Sequence, residues 1–404
     1  MSPLITIVLV VLVDLMGFTI VMPLLAPFAK QYGFSPMQIG ALMAAYPLCQ
    51  LIAGPILGRL SDRYGRRPVL VFSQAGTALS FLIMGLTRDY TTLLLARMLD
   101  GASGGNILVA QAYVADVTPP EQRSRGLGMI GAAFGIGFVL GPLLSGLILD
   151  LPVSPDLHLR LPFLVAAGFS TIALLLVVFR LPESRPAGAV GQSARTLSLR
   201  GLTTMLSSPG IRGLVGIGTL TILAWSTLEA TYSLFLRERL GWNASQAAYA
   251  FAFLGAVVAL VQGGLIRRLV PKYGEPKLII WGIALATLGL AGLAMSGGLI
   301  GLLLATLVVG VGQGIAAPTI QGLLSRSTSP EDQGAILGAY GSAQMAARMV
   351  CYMVANVLLG AYGPAMPFWQ GAVTALAALG LAIAVVGPGR KVRDQVQEPA
   401  EAVA

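Results

Sequence analysis

The sequence predicts an all-α membrane protein with 12 transmembrane helices in two pseudo-symmetric six-helix bundles. Three observations carry this reading. The chain of 404 residues is 55% hydrophobic and only 11% charged, whereas a soluble domain holds roughly 25% charged residues. Its apolar residues come in continuous runs of about 20, which cross hydrocarbon as helices, and not in the short alternating segments of a membrane barrel. Short motifs of the first half also recur in the second at a nearly constant offset.

The spans are threaded from Gly58–Pro68, which carries Arg59, Arg63, Arg66 and Arg67 between two apolar runs and reads as a tight loop. An arginine at mid-membrane costs about 3 kcal/mol or more, so this loop marks a membrane face. Spans are expected at 4–29, 37–58, 68–87, 91–115, 124–149, 162–181, 211–236, 244–266, 277–296, 299–325, 334–361 and 365–387. With the 58–68 loop cytoplasmic, both termini are cytoplasmic. Nineteen basic residues then fall in cytoplasmic segments and five outside: Lys30, Arg88, Arg160, Arg237 and Arg239. That asymmetry sets the orientation and places the chain in the cytoplasmic (inner) membrane as a multi-pass protein. The net charge of +9 is therefore a topology signal. Its basic residues are scattered over short loops, which excludes a nucleic-acid face.

The polar segment 182–210, with a short surface helix expected near 194–206, is a cytoplasmic linker between bundles 1–181 and 211–387; residues 388–404 form a cytoplasmic tail. The first apolar run reads as an uncleaved span, since it is too long for a signal peptide and carries Asp14. Cys49 and Cys351 fall inside apolar runs and read as buried thiols, and the one histidine, His158, lies in a loop. Metal binding and His-based catalysis lack residues, and no phosphate-binding loop appears, so neither an enzyme nor a cofactor is expected.

The halves are related. Pro120-Glu121 and two of the glycines after them recur at Pro330-Glu331 with an offset of 210, and Tyr64-Gly65 recurs at Tyr273-Gly274 with an offset of 209. Two matches in equivalent loops argue for a duplicated six-helix unit in parallel orientation. Such repeats place the substrate site between the halves near the bilayer midplane, with alternating access by rocking.

The motifs resemble the major facilitator superfamily over about residues 10–385, and within it the twelve-span proton-coupled drug antiporters close to the tetracycline-efflux type. The segment holding Gly58, Asp62, Arg63, Gly65, Arg66 and Arg67 is similar to the superfamily's cytoplasmic gate motif, G-x-L-x-D-R-x-G-R-R, with every fixed position present. Its second copy, Gly264–Pro276, has Pro271 where the first has Asp62. The fifth span, with Gly137, Gly141, Pro142 and Gly146, resembles the antiporter motif G-x-x-x-G-P-x-x-G-G, with Ser145 in place of one glycine. Arg97–Gly101 resembles the R-x-x-x-G element, and Asp14–Pro23 the acidic opening span of tetracycline-type exporters. The resemblance implies that the gate cluster latches the outward-facing state, with Arg66 and Arg67 reaching acids such as Asp116.

Five ionisable side chains fall inside spans: Asp14, Arg97, Asp100, Glu229 and Arg348. Such residues are costly and either line a cavity or pair with one another. Asp14 lies roughly 16 Å from the cytoplasmic end of its span, close to mid-membrane. Glu229 and Arg348 lie at similar depth, which permits a pair. Three acids against two arginines leave one excess negative charge, suited to binding a proton or exchanging it for a cation. Asp14, without a basic neighbour three or four residues away, is the expected proton carrier, with Asp100 and Glu229 as further candidates and Arg97 and Arg348 as charge partners. The alternative is that all five form structural ion pairs.

The stripe Tyr340, Gln344, Arg348, Tyr352 and Asn356 in span eleven, and Trp225, Glu229 and Tyr232 in span seven, should face inward and line a cavity. Plain interhelical packing is the alternative. Phe18, Met22, Asn106, Gln111, Gln313 and Gln321 are further cavity candidates. An acid among aromatics suits a lipophilic cation. The expected function is a monomeric secondary transporter, driven by a proton gradient, that exports small amphipathic compounds, cationic or zwitterionic. A sugar, metabolite or lipid transporter of the same superfamily and a transport-inactive membrane sensor are the alternatives.

Overall fold

The computed structural model describes residues 2–119, 122–184, 208–329 and 332–387. The surface helix expected near 194–206, the tail and the repeat residues Pro120, Glu121, Pro330 and Glu331 lie outside them. Among the described residues the chain is helical without strands, and eleven helical stretches are long and apolar enough to cross a membrane. In chain order the helices are α1 Pro3–Val21, α2 Leu25–Gln31, α3 Pro36–Tyr64, α4 Arg66–Leu86, α5 Tyr90–Ser103, α6 Asn106–Val117, α7 Arg123–Leu149 and α8 Pro155–His158. There follow α9 Leu161–Arg180, α10 Pro209–Leu240, α11 Ala244–Leu260, α12 Ile266–Tyr273, α13 Glu275–Met295, α14 Leu299–Arg326, α15 Gln333–Tyr362 and α16 Met366–Val386.

Three helix starts are capped from the sequence. Ser35 and Gln38 form a reciprocal capping box at α3, with Pro36 in the first turn. Asp89 accepts the Thr92 N–H at 2.8 Å at the start of α5, and these bonds hold its carboxyl below the usual range. Asn243 accepts the Gln246 N–H at 2.9 Å at the start of α11. Within the spans, Thr171, Thr219, Thr221, Ser226, Thr231, Thr287 and Thr319 each donate to the carbonyl four residues back, so none of these hydroxyl protons is orphaned.

Four expected features differ. The Gly58–Pro68 segment is not a loop: α3 runs on through Tyr64 and α4 starts at Arg66, so only Gly65, at φ +101°, breaks the chain. A residue without Cβ turns there at no steric cost, and the flanking arginines project from helix ends instead. The fourth span is two helices, broken at Gly104–Gly105. A Cβ on Gly101 would strike the Tyr46 backbone, and one on Gly105 would meet Leu57 at 2.7 Å, so contact with α3 demands a glycine stretch that is itself a weak helix former. The freed carbonyls are satisfied: Gln50 Nε2 donates to Gly104 O at 2.8 Å, and Ser73 Oγ donates to Ser103 O. The first span likewise breaks at Met22–Leu24, beside Pro23, and the eighth carries a π-turn over Val261–Leu265.

The described residues fall into two compact units, 2–184 with Tyr232–Ala256, and 208–231 with 257–387. The core of the first gathers Ile7, Val10, Leu15, Leu70, Tyr113, Ala173 and Val177. That of the second gathers Leu214, Ile217, Ile279, Ile283, Ile320, Ile336 and Ala378. In the second unit α13 lies directly on the backbone of α14, since Cβ atoms on Gly282, Gly289 or Gly312 would run into main-chain atoms across the interface. Small residues replace the hydrophobic effect as the driving force between helices in lipid, by letting backbones touch. Gly312→Leu should therefore destabilise the protein by about 1–3 kcal/mol or more through overpacking. Gly380→Leu, where a Cβ meets nothing within 4 Å, should be neutral. Thermal unfolding of the two variants in detergent makes the comparison.

Candidate functional site

The five intramembrane charges sort into two paired groups and one acid apart. Arg97 Nη1 donates to Asp100 Oδ2 at 2.6 Å, one turn along α5, and both side chains are buried. The Arg97 guanidinium also lies over the rings of Tyr46 (4.6 Å) and Phe18 (5.8 Å), which favour a cation. In the second unit Arg348 of α15 pairs with Glu229 of α10. Glu229 Oε1 accepts Trp225 Nε1 at 2.8 Å and its Oε2 accepts the Tyr352 hydroxyl at 2.8 Å. That carboxylate has its charge matched and both oxygens satisfied, as a buried ion pair requires.

Asp14 is different. It is 7% exposed in α1, and its Oδ2 accepts Asn106 Nδ2 at 2.7 Å from α6. Its Oδ1 is buried with no hydrogen-bond partner. No ion pair to Asp14 occurs among the described residues, and Arg97, the nearest intramembrane arginine in this unit, is held by Asp100. The break between α5 and α6 puts Asn106 in the first turn of α6, facing Asp14.

The remaining candidates are distributed. Tyr352 completes the Glu229 group, while Tyr340 packs in the hydrophobic core of the second unit, where its ring fills the space beside Gly218. Tyr232 is fully buried against Phe251, ring centroids 5.3 Å apart. Gln313 is buried, Met22 and Gln344 are half-buried, and Gln111 and Gln321 are exposed. Among the described residues no group of three or more His, Cys, Asp or Glu side chains could hold a metal ion.

The gate segment is a network around Arg66, 5% exposed at the first position of α4. Its guanidinium binds Asp62 (2.8 Å), Asp116 at the end of α6 (3.0 Å) and Ser61 Oγ (2.6 Å). Arg67 reaches the Val178 carbonyl of α9 at 2.5 Å instead of an acid, and Arg63 lies over Tyr64. Asp62 sits in the last turn of α3 and is no helix N-cap. Gly58 leaves open space, so only Gly65 of the two glycines is needed for close approach. The residue absent from the sequence reading is Glu183. Its carboxylate accepts the backbone N–H groups of Arg66 (2.8 Å) and Arg67 (3.0 Å), capping α4, and a Cβ on Gly65 would collide with it. Tyr113 hydroxyl donates to Pro182 O at 2.8 Å and Ser184 Oγ to Asp116 at 3.2 Å, so the chain leaving α9 is tied to the gate. The signal was present: Glu183 is the one acid in the basic segment 182–210.

The second unit repeats this pair with its charges reversed. Glu275, the first residue of α13, binds Arg326, the last of α14, at 3.1 Å. Glu275 stands where Arg66 stands at an offset of 209, and Arg326 where Asp116 stands at 210. Gly274, at φ +76°, repeats Gly65.

In the fifth span the small residues meet neighbours. Gly137 O accepts a hydroxyl contact from Thr19 of α1 at 2.8 Å, and a Cβ on Gly141 would strike the same Thr19. A Cβ on Gly146 would enter the ring of Tyr249 in α11, whose hydroxyl donates to Asp150 at 2.6 Å. Hydrogen bonds from Tyr249 and Ser245 hold the Asp150 carboxyl below its usual range. Ser145, the departure from the motif, is fully buried. Lys30, just before the end of α2, pairs with Glu238.

Two outcomes follow for the gate. Glu183→Ala should cost about 1 kcal/mol by uncapping α4, and Gly65→Ala should cost more, because it adds left-handed strain to the collision. Glu275→Arg and Arg326→Glu should each lower the folded yield in size-exclusion chromatography of solubilised protein, and the double exchange should restore it. A double variant no better than its worse parent would mean that the pair contributes nothing.

The Major Facilitator Superfamily model matches residues 7–350 and 267–403. The tetracycline resistance protein of class B from Escherichia coli is 31% identical over 372 residues, covering 90% of this chain and 89% of that one. The class C protein from the same organism is 32% identical, with 84% and 85% covered. Multidrug resistance protein 1 of Bacillus subtilis is 28% identical, with 78% and 79% covered. The crystal structure of a human organic anion transporter (MFSD10) superposes with a TM-score of 0.69 at 25% identity, covering 94% of this chain and 98% of that one. The chain thus belongs to the Major Facilitator Superfamily, as a multi-pass membrane transporter of small molecules with tetracycline and multidrug efflux proteins among its relatives.

Proposed function

We propose that the protein is a proton-coupled antiporter of the cytoplasmic membrane, with both termini cytoplasmic, that exports small amphipathic compounds, cationic or zwitterionic, by alternating access. One observation carries the proposal: of three intramembrane acids, Asp14 alone has no basic partner among the described residues. A carboxyl in such a place is neutral only with a proton bound, and is negative, and attractive to a cation, without it. Binding of proton and substrate then exclude each other electrostatically, which is the requirement for antiport. Asp100 and Glu229 keep their arginines and supply fixed, neutralised polarity instead. The relatives that confer tetracycline and multidrug resistance support the direction of transport and the drug-like size of the cargo.

The test uses everted membrane vesicles containing the protein and a pH-sensitive dye, challenged with lipophilic cations, tetracyclines, organic anions and sugars. Substrate-induced proton movement should occur with a cation or tetracycline in the wild type and fall to background in Asp14→Asn. Proton movement retained by Asp14→Asn would remove Asp14 from the coupling path. A response to sugars or organic anions alone would overturn the substrate class.

A further inference from the structure

The first unit holds a cavity of about 670 Å³ that none of the motifs above accounts for. That volume suits a drug-sized molecule. Its lining residues all belong to 2–184 or Tyr232–Ala256. They come from the connections after the first, fifth and seventh spans and from the helix ends beside them. The gate segment follows the second span, so the cavity lies toward the opposite end of these helices. The seventh span supplies the chemistry. Gly241, at φ +67°, ends α10, and its N–H donates to Arg237 O at 3.1 Å, a helix end that glycine adopts without strain. The turn brings Trp242 back beside the last turn of α10, its own N–H donating to Leu236 O at 3.4 Å. Arg237 and Trp242 thereby line one cavity, together with Gln31 at the end of α2. Among the described residues no carboxylate lines it. Glu238, next to Arg237 in the chain, pairs with Lys30, and Asp150 accepts the Tyr249 hydroxyl at 2.6 Å. His158, also in the wall, spends its Nε2–H on the Leu149 carbonyl at 2.6 Å. By contrast, the side chains of Arg237, Trp242 and Gln31 make no hydrogen bond or ion pair among the described residues.

One permanent positive charge, unspent N–H donors and apolar walls from Pro27, Leu159 and Ala247 make a definite complement. A guanidinium takes carboxylate or phosphate oxygens in pairs, and an indole offers one N–H beside an apolar face. The matching ligand has a negative head on an apolar or aromatic body. We propose that this cavity is a second ligand site, which takes the anionic group of an amphipathic molecule with Arg237 and Trp242 as its donors. Two sources share that chemistry, a soluble organic carboxylate and the phosphate of an anionic lipid headgroup. The site is separate from Asp14, whose carboxylate prefers the opposite charge, and it stands whether or not Asp14 carries the proton.

The experiment is equilibrium dialysis of radiolabelled naphthylacetate against the full chain in phosphatidylcholine nanodiscs, with empty nanodiscs as the blank. Wild type should bind the probe saturably, and its uncharged methyl ester about tenfold more weakly or worse, the loss expected for a bond to a charged group. Arg237→Gln should bind the acid about tenfold more weakly than wild type. Arg239→Gln, which removes a neighbouring charge outside the cavity lining, and Asp14→Asn should bind it as wild type does. Added phosphatidylglycerol separates the two sources. Competition in wild type that is absent from Arg237→Gln identifies the lipid headgroup as an occupant, and unchanged binding identifies the soluble anion alone; both support the site. Acid and ester bound equally, or Arg237→Gln and Arg239→Gln weakened equally, would overturn it. Loss of binding in Asp14→Asn would place the probe elsewhere and overturn it too, without touching the coupling role of Asp14. Should Arg237→Gln fail to fold, Trp242→Phe takes its place, keeping an aromatic ring and losing the N–H: preference for acid over ester reduced in Trp242→Phe supports the site, and preference unchanged overturns it.

Discussion

Hydrocarbon supplies no hydrogen bonds, so each polar group that crosses it must find a partner within the protein. This constraint orders the charges, the broken helices and the caps alike. Arg97 settles on Asp100 and two aromatic rings, and Arg348 settles on a carboxylate that also holds Trp225 and Tyr352. Where the fourth span breaks, Gln50 and Ser73 take up the freed carbonyls. Against that background, Asp14 differs from Asp100 and Glu229 in having no basic partner among the described residues.

The same medium makes glycine a packing residue. Side chains gain little by leaving lipid for a helix interface, so contact comes from backbones brought close. The α13–α14 interface and the Thr19 contacts with Gly137 and Gly141 are built this way. The cost is a weaker helix, and the Gly104–Gly105 break shows the balance tipping. That break is useful, because it lets Asn106 sit in the first turn of a new helix, beside Asp14.

At the helix ends that carry the gate segment and its repeat, charge networks replace packing. The Arg66–Asp116 pair and the Glu275–Arg326 pair occupy equivalent places with reversed sign. An ion pair keeps its attraction when both charges are exchanged, so a duplicated unit can drift through reversal without losing the contact. The Glu183 cap has no such reciprocal, since backbone N–H groups take only an acceptor.

The helical membrane fold, the duplication and the identities of the five buried charges were determined by the sequence alone, because hydropathy and repeat offset are local or additive quantities. The tertiary structure decided how those charges were shared out. Arg97 and Asp100 are close in sequence, yet three-residue spacing permits a pair without requiring one, and Glu229 and Arg348 are 119 residues apart. Glu183 carried no periodic signal, being a single acid in a basic segment. It acquires meaning only from the two backbone N–H groups that the fold sets opposite it. Partnership between distant helices depends on which faces pack together, and that is a property of the whole chain.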